Sequence, residues 1–314
     1  WFWAVTSIGR FMTSMLAQLP PGAVRPSASE FMKSTGPWVV VATVLVPLIV
    51  AASMNFIKAQ GRGVLTAVDP THTATRTAMN HLYAALVAPL AELSERLSWG
   101  VLIVIGLILS YALCYNVWGS FAFPFYLEHL HYTKDEVAFA SKIFGIFMTM
   151  VGISIGGYLF ARLGRMPTVL IGSILPILGN FLYADLAEGG ANIDAFASTF
   201  GLTALAGWFG SDERMVRLLI AISGENISTG IAGAAFVAYM SGIVSKHYTA
   251  VQYALLSSLT FLIGSLGRGI AGEKIDLYGY ATVFRATALV GFVAVLFVLL
   301  EWWRTSRDAR KVAG

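Results

Sequence analysis

The sequence predicts an all-α protein that crosses a membrane several times. Three observations carry this. Of 314 residues, 57% are hydrophobic and only 12% are charged, against about 25% charged in a soluble domain. The apolar residues form continuous runs of about 20 residues or more, the length a helix needs to cross a bilayer. Barrel strands would instead alternate over about 10 residues. Third, the basic residues gather in one alternate set of connecting segments, as they do on one side of a membrane. The mean hydropathy is +0.71.

Composition also excludes some classes. The net charge of +4 is spread over loops and the C-terminus, which argues against nucleic-acid binding. The single Cys114 lies inside an apolar run, so neither a disulfide framework nor a cysteine metal site is available. The motifs HExxH, GxSxG and a Walker loop are all missing, and the five histidines are scattered through loops. No enzyme, cofactor or metal is expected.

Taken in order, Trp1 to Leu19 is apolar, interrupted by Arg10, and reads as the end of a spanning helix. The chain opens at Trp1, inside this apolar segment, without a Met or a basic leader. The expectation is therefore a fragment that lacks its true N-terminus. Pro20 to Gly36 is a Pro- and Ser-rich loop, and Pro37 to Ile57 a spanning helix. Residues 58–98 form a polar linker. Its second part, Met79 to Leu97, places leucines at steps of three or four, which predicts an amphipathic helix on the membrane surface, broken or kinked at Pro89.

Six spans follow within residues 99–303: Trp99 to Leu127, Val137 to Ala161, Pro167 to Leu186, Met215 to Val244, Thr249 to Gly272 and Ala281 to Trp303. The first is long enough to demand tilt or a kink near Gly119 and Pro124. A basic tail, 304–314, ends the chain. The tail, the turn at Arg162 and Arg165, the turn at Lys246 and the linker all fall on one side if the spans alternate. That side is expected to be cytoplasmic. The opposite loops carry Glu128, Asp135, Glu136, Glu188, Asp194, Asp212 and Glu213, together with Lys134, Arg214 and Lys274.

Glu225 is the first candidate for function, an ionisable group within an apolar run. Such groups cost roughly 3 kcal/mol to insert and normally face a protein interior or a wet cavity. Helical spacing sets Glu225, Ser228 or Thr229, Ala232 and Phe236 on one face. The functional reading is a carboxyl that exchanges protons or holds a polar group of a substrate. The competing reading is a structural carboxyl paired with a neighbouring Lys or Arg. Asn226 sits about 100° round the helix and suits an interhelical hydrogen bond. Lys142 can partner Glu225, receive an anion or snorkel to the interface. Arg268 reads either as a ligand or as a structural or snorkelling arginine. Gln252 can bond a sugar or amide, or line the start of its helix. Tyr111, Tyr115, Asn116 and Trp118 form a polar-aromatic cluster suited to lining a cavity or to ordinary packing. Gly224, Gly230, Gly233, Gly152, Gly156 and Gly157 predict close helix approach.

Six spans after a linker, with further spans before it, match the layout of the major facilitator superfamily. The turn Gly156-Gly157-Tyr158-Leu159-Phe160-Ala161-Arg162-Leu163-Gly164-Arg165 resembles that superfamily's cytoplasmic signature, with Ala161 where an acidic residue often stands. By this resemblance Gly157, Arg162, Gly164 and Arg165 form a gating turn. A closer resemblance covers nearly all of the chain from Leu82 on. Val87-Ala88-Pro89-Leu90, Ser141-Lys142-Ile143-Phe144-Gly145 and Leu178-Gly179-Asn180-Phe181-Leu182-Tyr183 are similar to segments of the muropeptide permease (AmpG) family. So are Glu225-Asn226, Ala235-Phe236-Val237-Ala238 and the run Thr249 to Ser257.

The resemblance implies a secondary transporter of the bacterial inner membrane, with its C-terminus in the cytoplasm. It implies proton-coupled import of an anhydro-muropeptide by a monomer in the lipid bilayer, with Asn180 among the pathway residues. Where the family often carries a Lys and an acidic residue, this chain has Ala112 and Tyr115. That departure leaves room for a divergent paralogue moving a peptide, a sugar conjugate or an acyl-CoA-like anion. A membrane sensor that does not transport is the alternative from another class.

Overall fold

A computed structural model describes residues 38, 41–46, 49, 87–116, 121–208 and 212–313. The first predicted span, Trp1 to Leu19, the loop after it and the polar part of the linker lie outside the described residues. Of the second predicted span, the described part is mainly a π-helical turn, Val41–Leu45, whose Val44 is buried in the core.

Among the described residues every regular element is helical. We number the main ones α1, Ala88–Leu97; α2, Gly100–Asn116; α3, Lys134–Leu163; α4, Arg165–Ala187; α5, Ala191–Thr199; α6, Leu202–Trp208; α7, Glu213–Ile243; and α8, Thr249–Ala313. α3 contains a π-helical stretch, Phe139–Phe144. α8 is two arms joined at Gly279, whose φ of 77° lies in the left-handed region that glycine enters without a Cβ clash. After α2 come two short turns, Ala122–Pro124 and Phe125–His129. α3, α4, α7 and the segment Ile270–Asp308 are each long and apolar enough to cross a membrane.

Local chemistry starts these helices where the sequence allows. Thr133 and Glu136 close a capping box before α3. The Asp212 carboxylate accepts from the Met215 N–H to cap α7. Between α3 and α4 the reversal falls on Gly164, with φ 83°.

α4 lies centrally and packs against α7 and α8; α3 packs on the other side of α7, and α2 packs on α8. The α3–α7 contact is made by glycines. A Cβ on Gly152 would stand 2.4 Å from the Ile227 carbonyl oxygen, and one on Gly230 2.5 Å from that of Thr149. Gly156 sits against Ile231 and Ala234 in the same seam. Gly157 and Gly233 do not take part. Nothing lies within 4 Å of a Cβ built on either, because each points away from the seam. The packing expectation is thus corrected for these two.

Two large apolar clusters and a small one, Ile177 with Ala288, form the core among the described residues. One, near the turn after α7, joins α1, α2, α7 and the start of α8 through Leu93, Leu107, Tyr239 and Leu256. The other, near residues 125–137, joins Phe125, Tyr126, Tyr183, Leu218 and Phe284. α1 carries Pro89 in its first turn. It meets α2 at a bend of 111°. Its Leu90, Leu93 and Leu97 are buried in the first cluster. The amphipathic face therefore covers one end of the bundle rather than lying against lipid. The linker part before residue 87 lies outside the described residues.

Candidate functional site

The site is built on α7, a 31-residue helix. Glu225 lies about 18 Å along it from the Glu213 end, at 1.5 Å per residue. It is partly buried. Its Oε2 accepts a 2.7 Å hydrogen bond from the Tyr183 hydroxyl on α4. The Tyr183 hydroxyl in turn lies 2.6 Å from that of Tyr126, on the Phe125–His129 turn. Among the described residues no cation pairs with Glu225. Lys142 is exposed, and its Nζ lies 5.5 Å from the centre of the Phe123 ring. The Lys142–Glu225 pair considered from sequence is not formed, since Lys142 projects from α3 to the surface while Glu225 turns to α4.

The rest of the Glu225 face is packed. Ser228 bonds the Gly224 carbonyl at 2.6 Å. Ala232 is fully buried, and its carbonyl accepts from the Tyr111 hydroxyl at 3.0 Å. Phe236 stacks on the Tyr111 ring at 5.2 Å. Tyr111 therefore joins α2 to α7, and it does not sit beside Glu225. Gly172 makes room for its hydroxyl, which would lie 2.3 Å from a Cβ there. The backbones of Tyr115 and Asn116 belong to α2, but their side chains, that of Arg268 and all of Trp118 lie outside the described residues. Asn180 is buried on α4, one turn before Tyr183.

Asn226 faces the other way, as a step of 100° requires. Its Oδ1 accepts from Thr149 of α3 at 2.8 Å, and its Nδ2 donates to the Ile222 carbonyl at 2.9 Å. Gln252 is fully buried and fully used. Its Nε2 donates to the Pro89 carbonyl at 2.7 Å and to Glu92 at 2.6 Å, and its Oε1 accepts from the Ser245 N–H at 2.7 Å. The amide thus ties α1 and the turn after α7 to the start of α8.

At the Gly164 turn, Arg162 lies over the Tyr158 ring of its own helix, 5.5 Å from the centre. The Arg165 guanidinium reaches the last turn of α7 beside Gly242. Gly157 is exposed on α3. At the other end, burial pushes the Tyr132 phenol in the loop before α3 above its ordinary value, partly offset by the nearby Arg214 and Arg217 charges. Its hydroxyl donates to the Arg214 carbonyl at 2.8 Å, and the Arg214 guanidinium lies 4.3 Å from the ring centre.

Three residues here were not reached from sequence as candidates: Tyr126, Tyr183 and Glu301. Tyr183 stood within a resemblance segment, but nothing in its spacing linked it to Glu225. Glu301 is 1% exposed near the end of the last span and is gripped by Arg304. An acidic residue closing an apolar run was its only signal. Among the described residues no three His, Cys, Asp or Glu side chains form a metal-binding group.

Comparison with known proteins places these features in context. No protein-family model matches the chain. Among curated proteins it is 31% identical to "Putative transporter AmpG 4" of Rickettsia conorii over 182 residues, covering 58% of this chain and 38% of that protein. It is 27% identical to an AmpG 1 transporter of Rickettsia bellii over 203 residues, covering 65% of this chain and 44% of that protein. It is 26% identical to the anhydromuropeptide permease of Escherichia coli over 278 residues, covering 86% of this chain and 48% of that protein. The chain spans less than half the length of these relatives. Over these stretches it is similar to AmpG-type transporters, and its described residues are all-α, with four helices, or five if the bent pair α1–α2 counts as one, long and apolar enough to cross a membrane.

Proposed function

We propose that this chain supplies the C-terminal half of a secondary active transporter that imports cell-wall-derived anhydro-muropeptides, driven by the proton gradient. In this reading residues 1–57 are the last helices of the N-terminal half and 58–98 a cytoplasmic linker. Residues 99–303 are the C-terminal bundle and 304–314 the basic tail. The protein is a monomer in a bacterial inner membrane, with its C-terminus in the cytoplasm. Two halves rock about a site near the midplane, as alternating access requires.

The observation that carries the reading is Glu225. A carboxyl deep in an apolar helix, with no cation partner among the described residues, is costly to keep unless it has work to do. It would serve as the coupling or binding group. Asn180 lies buried one turn from its tyrosine partner. Lys142, Tyr115, Asn116 and Arg268 are assigned to the same pathway as polar residues within apolar spans, and by resemblance Gly157, Arg162, Gly164 and Arg165 form the gating turn. The packed settings of Tyr111, Asn226 and Gln252 favour structural work for those three. The substrate class comes from the permease relative that matches across 86% of the chain.

The test is uptake of labelled anhydro-muropeptide into vesicles carrying the full-length protein, with and without an uncoupler. Uptake that collapses with uncoupler and is lost in Glu225→Gln supports the reading. Unchanged proton-driven uptake in Glu225→Gln removes the residue from the mechanism. A second reading, a divergent paralogue for another polar solute, is favoured by Ala112. This position often carries Lys in the resembling family, and here it is a fully buried methyl group that offers no charge to an anionic substrate. Well-folded protein without muropeptide uptake would favour that reading.

A further inference from the structure

Two buried hydroxyls beside Glu225 have no role in the reading above. Tyr126 is 3% exposed and Tyr183 is 1% exposed. They come from different elements, the Phe125–His129 turn and α4, and meet the carboxyl of a third, α7. Rings close around them. Phe284 lies 5.5 Å from Tyr183 and 5.2 Å from Phe125, and Tyr280 lies 4.9 Å from Phe125. A plug packed in this way excludes water, but a chain of hydroxyls through it can still pass a proton.

The contrast with other buried tyrosines is informative. Tyr111 and Tyr132 each donate to a backbone carbonyl, which satisfies a buried phenol without a carboxylate as acceptor. Tyr126 and Tyr183 are instead strung in series on a carboxylate, at 2.6 and 2.7 Å. The outer member lies directly under the loop before α3, since the Tyr126 carbonyl accepts from the Tyr132 N–H at 2.9 Å.

We propose that Tyr126 and Tyr183 are positioning residues that carry protons between Glu225 and the loop end of the bundle at residues 128–133. A hydronium ion at that end gives a proton to the Tyr126 oxygen and leaves as water, as Tyr126 passes its own proton to Tyr183. Tyr183 passes its own to Oε2 of Glu225. One proton enters, the carboxylate becomes a carboxylic acid, and neither phenol is left charged. Rotation of the two hydroxyls resets the chain, and the reverse sequence releases the proton. This rests on the transport reading of Glu225.

The experiment compares two rates for labelled anhydro-muropeptide in vesicles carrying the full-length protein: proton-driven uptake and counterflow. Counterflow exchanges substrate for substrate and needs no net proton transfer. The variants are Tyr126→Phe, Tyr183→Phe and Glu225→Gln. Both Phe variants are expected to lose driven uptake by about tenfold or more, with counterflow within about twofold of the unmodified protein. If Glu225→Gln loses driven uptake while both Phe variants keep both rates, the relay is overturned and the transport reading stands. If the unmodified protein shows no uncoupler-sensitive uptake, that reading fails and the relay with it. Should Tyr183→Phe also lose counterflow, Tyr126→Phe decides, because it keeps the bond between Tyr183 and Glu225. Equal loss of both rates in Tyr126→Phe would make the tyrosines merely structural.

Discussion

Arg304 grips Glu301 with two parallel hydrogen bonds, Nε to Oε2 at 2.8 Å and Nη2 to Oε1 at 2.7 Å. The carboxylate is 1% exposed, so the first arginine of the basic tail is an internal partner and not a solvated charge. Removing one member strands the other. Arg304→Ala is expected to cost about 3 kcal/mol or more, because a buried carboxylate loses its counter-charge. Replacing both with Leu should recover much of that loss. Thermal unfolding of the purified variants in detergent checks this; equal stability of Arg304→Ala and the unmodified protein would refute the buried pair.

The α3–α7 seam predicts opposite outcomes for glycines close together in sequence. Gly152→Ala and Gly230→Ala drive a methyl into facing backbone and should destabilise by about 1–3 kcal/mol each. Gly157→Ala meets open space and should be neutral, or stabilising by up to about 1 kcal/mol through helix propensity. Melting temperatures of the three variants separate these cases.

Gln252→Leu leaves the Ser245 N–H and the Pro89 carbonyl without the partner they share. A loss of about 1–3 kcal/mol is expected for buried groups left unpaired. Hydrogen exchange should report the change as faster opening of α1. Substrate KM should stay near its original value, whereas a large rise in KM with intact α1 protection would place Gln252 on the substrate.

Tyr132 supplies a pH test outside the spans. Its folded value is raised from the ordinary value of about 10, so the neutral phenol is the form that folding favours. The stability it contributes is fully present below about pH 10 and is lost as pH rises through the folded value. Ultraviolet titration of the phenolate band should lose one late-titrating tyrosine in Tyr132→Phe. An unchanged titration curve in that variant would contradict the shift.

Much of this could be read from residue order. The long apolar helices follow from apolar runs, the α7 cap from Asp212 ahead of Glu213, and the α3–α4 reversal from Gly164. Glu225 stands out because a charge in an apolar run is expensive wherever it points. The α1 helix was legible as amphipathic, but its leucines look the same facing lipid or protein. Only their burial in the first cluster shows that they cover the bundle. Gly152 and Gly157 likewise read alike, and the way the seam turns separates them.

What the sequence alone determined is the class: a helical, membrane-spanning chain with a costly carboxyl inside a long apolar run. These follow from local quantities, the run of apolar residues and the price of a charge, which need no partner to evaluate. Tertiary structure decided the partners. Tyr126 meets Tyr183 across 57 positions, Tyr183 meets Glu225 across 42, and Gln252 reaches Pro89 across 163. No periodicity encodes such distances, because they are set by how helices cross, and that crossing depends on side chains from several helices at once.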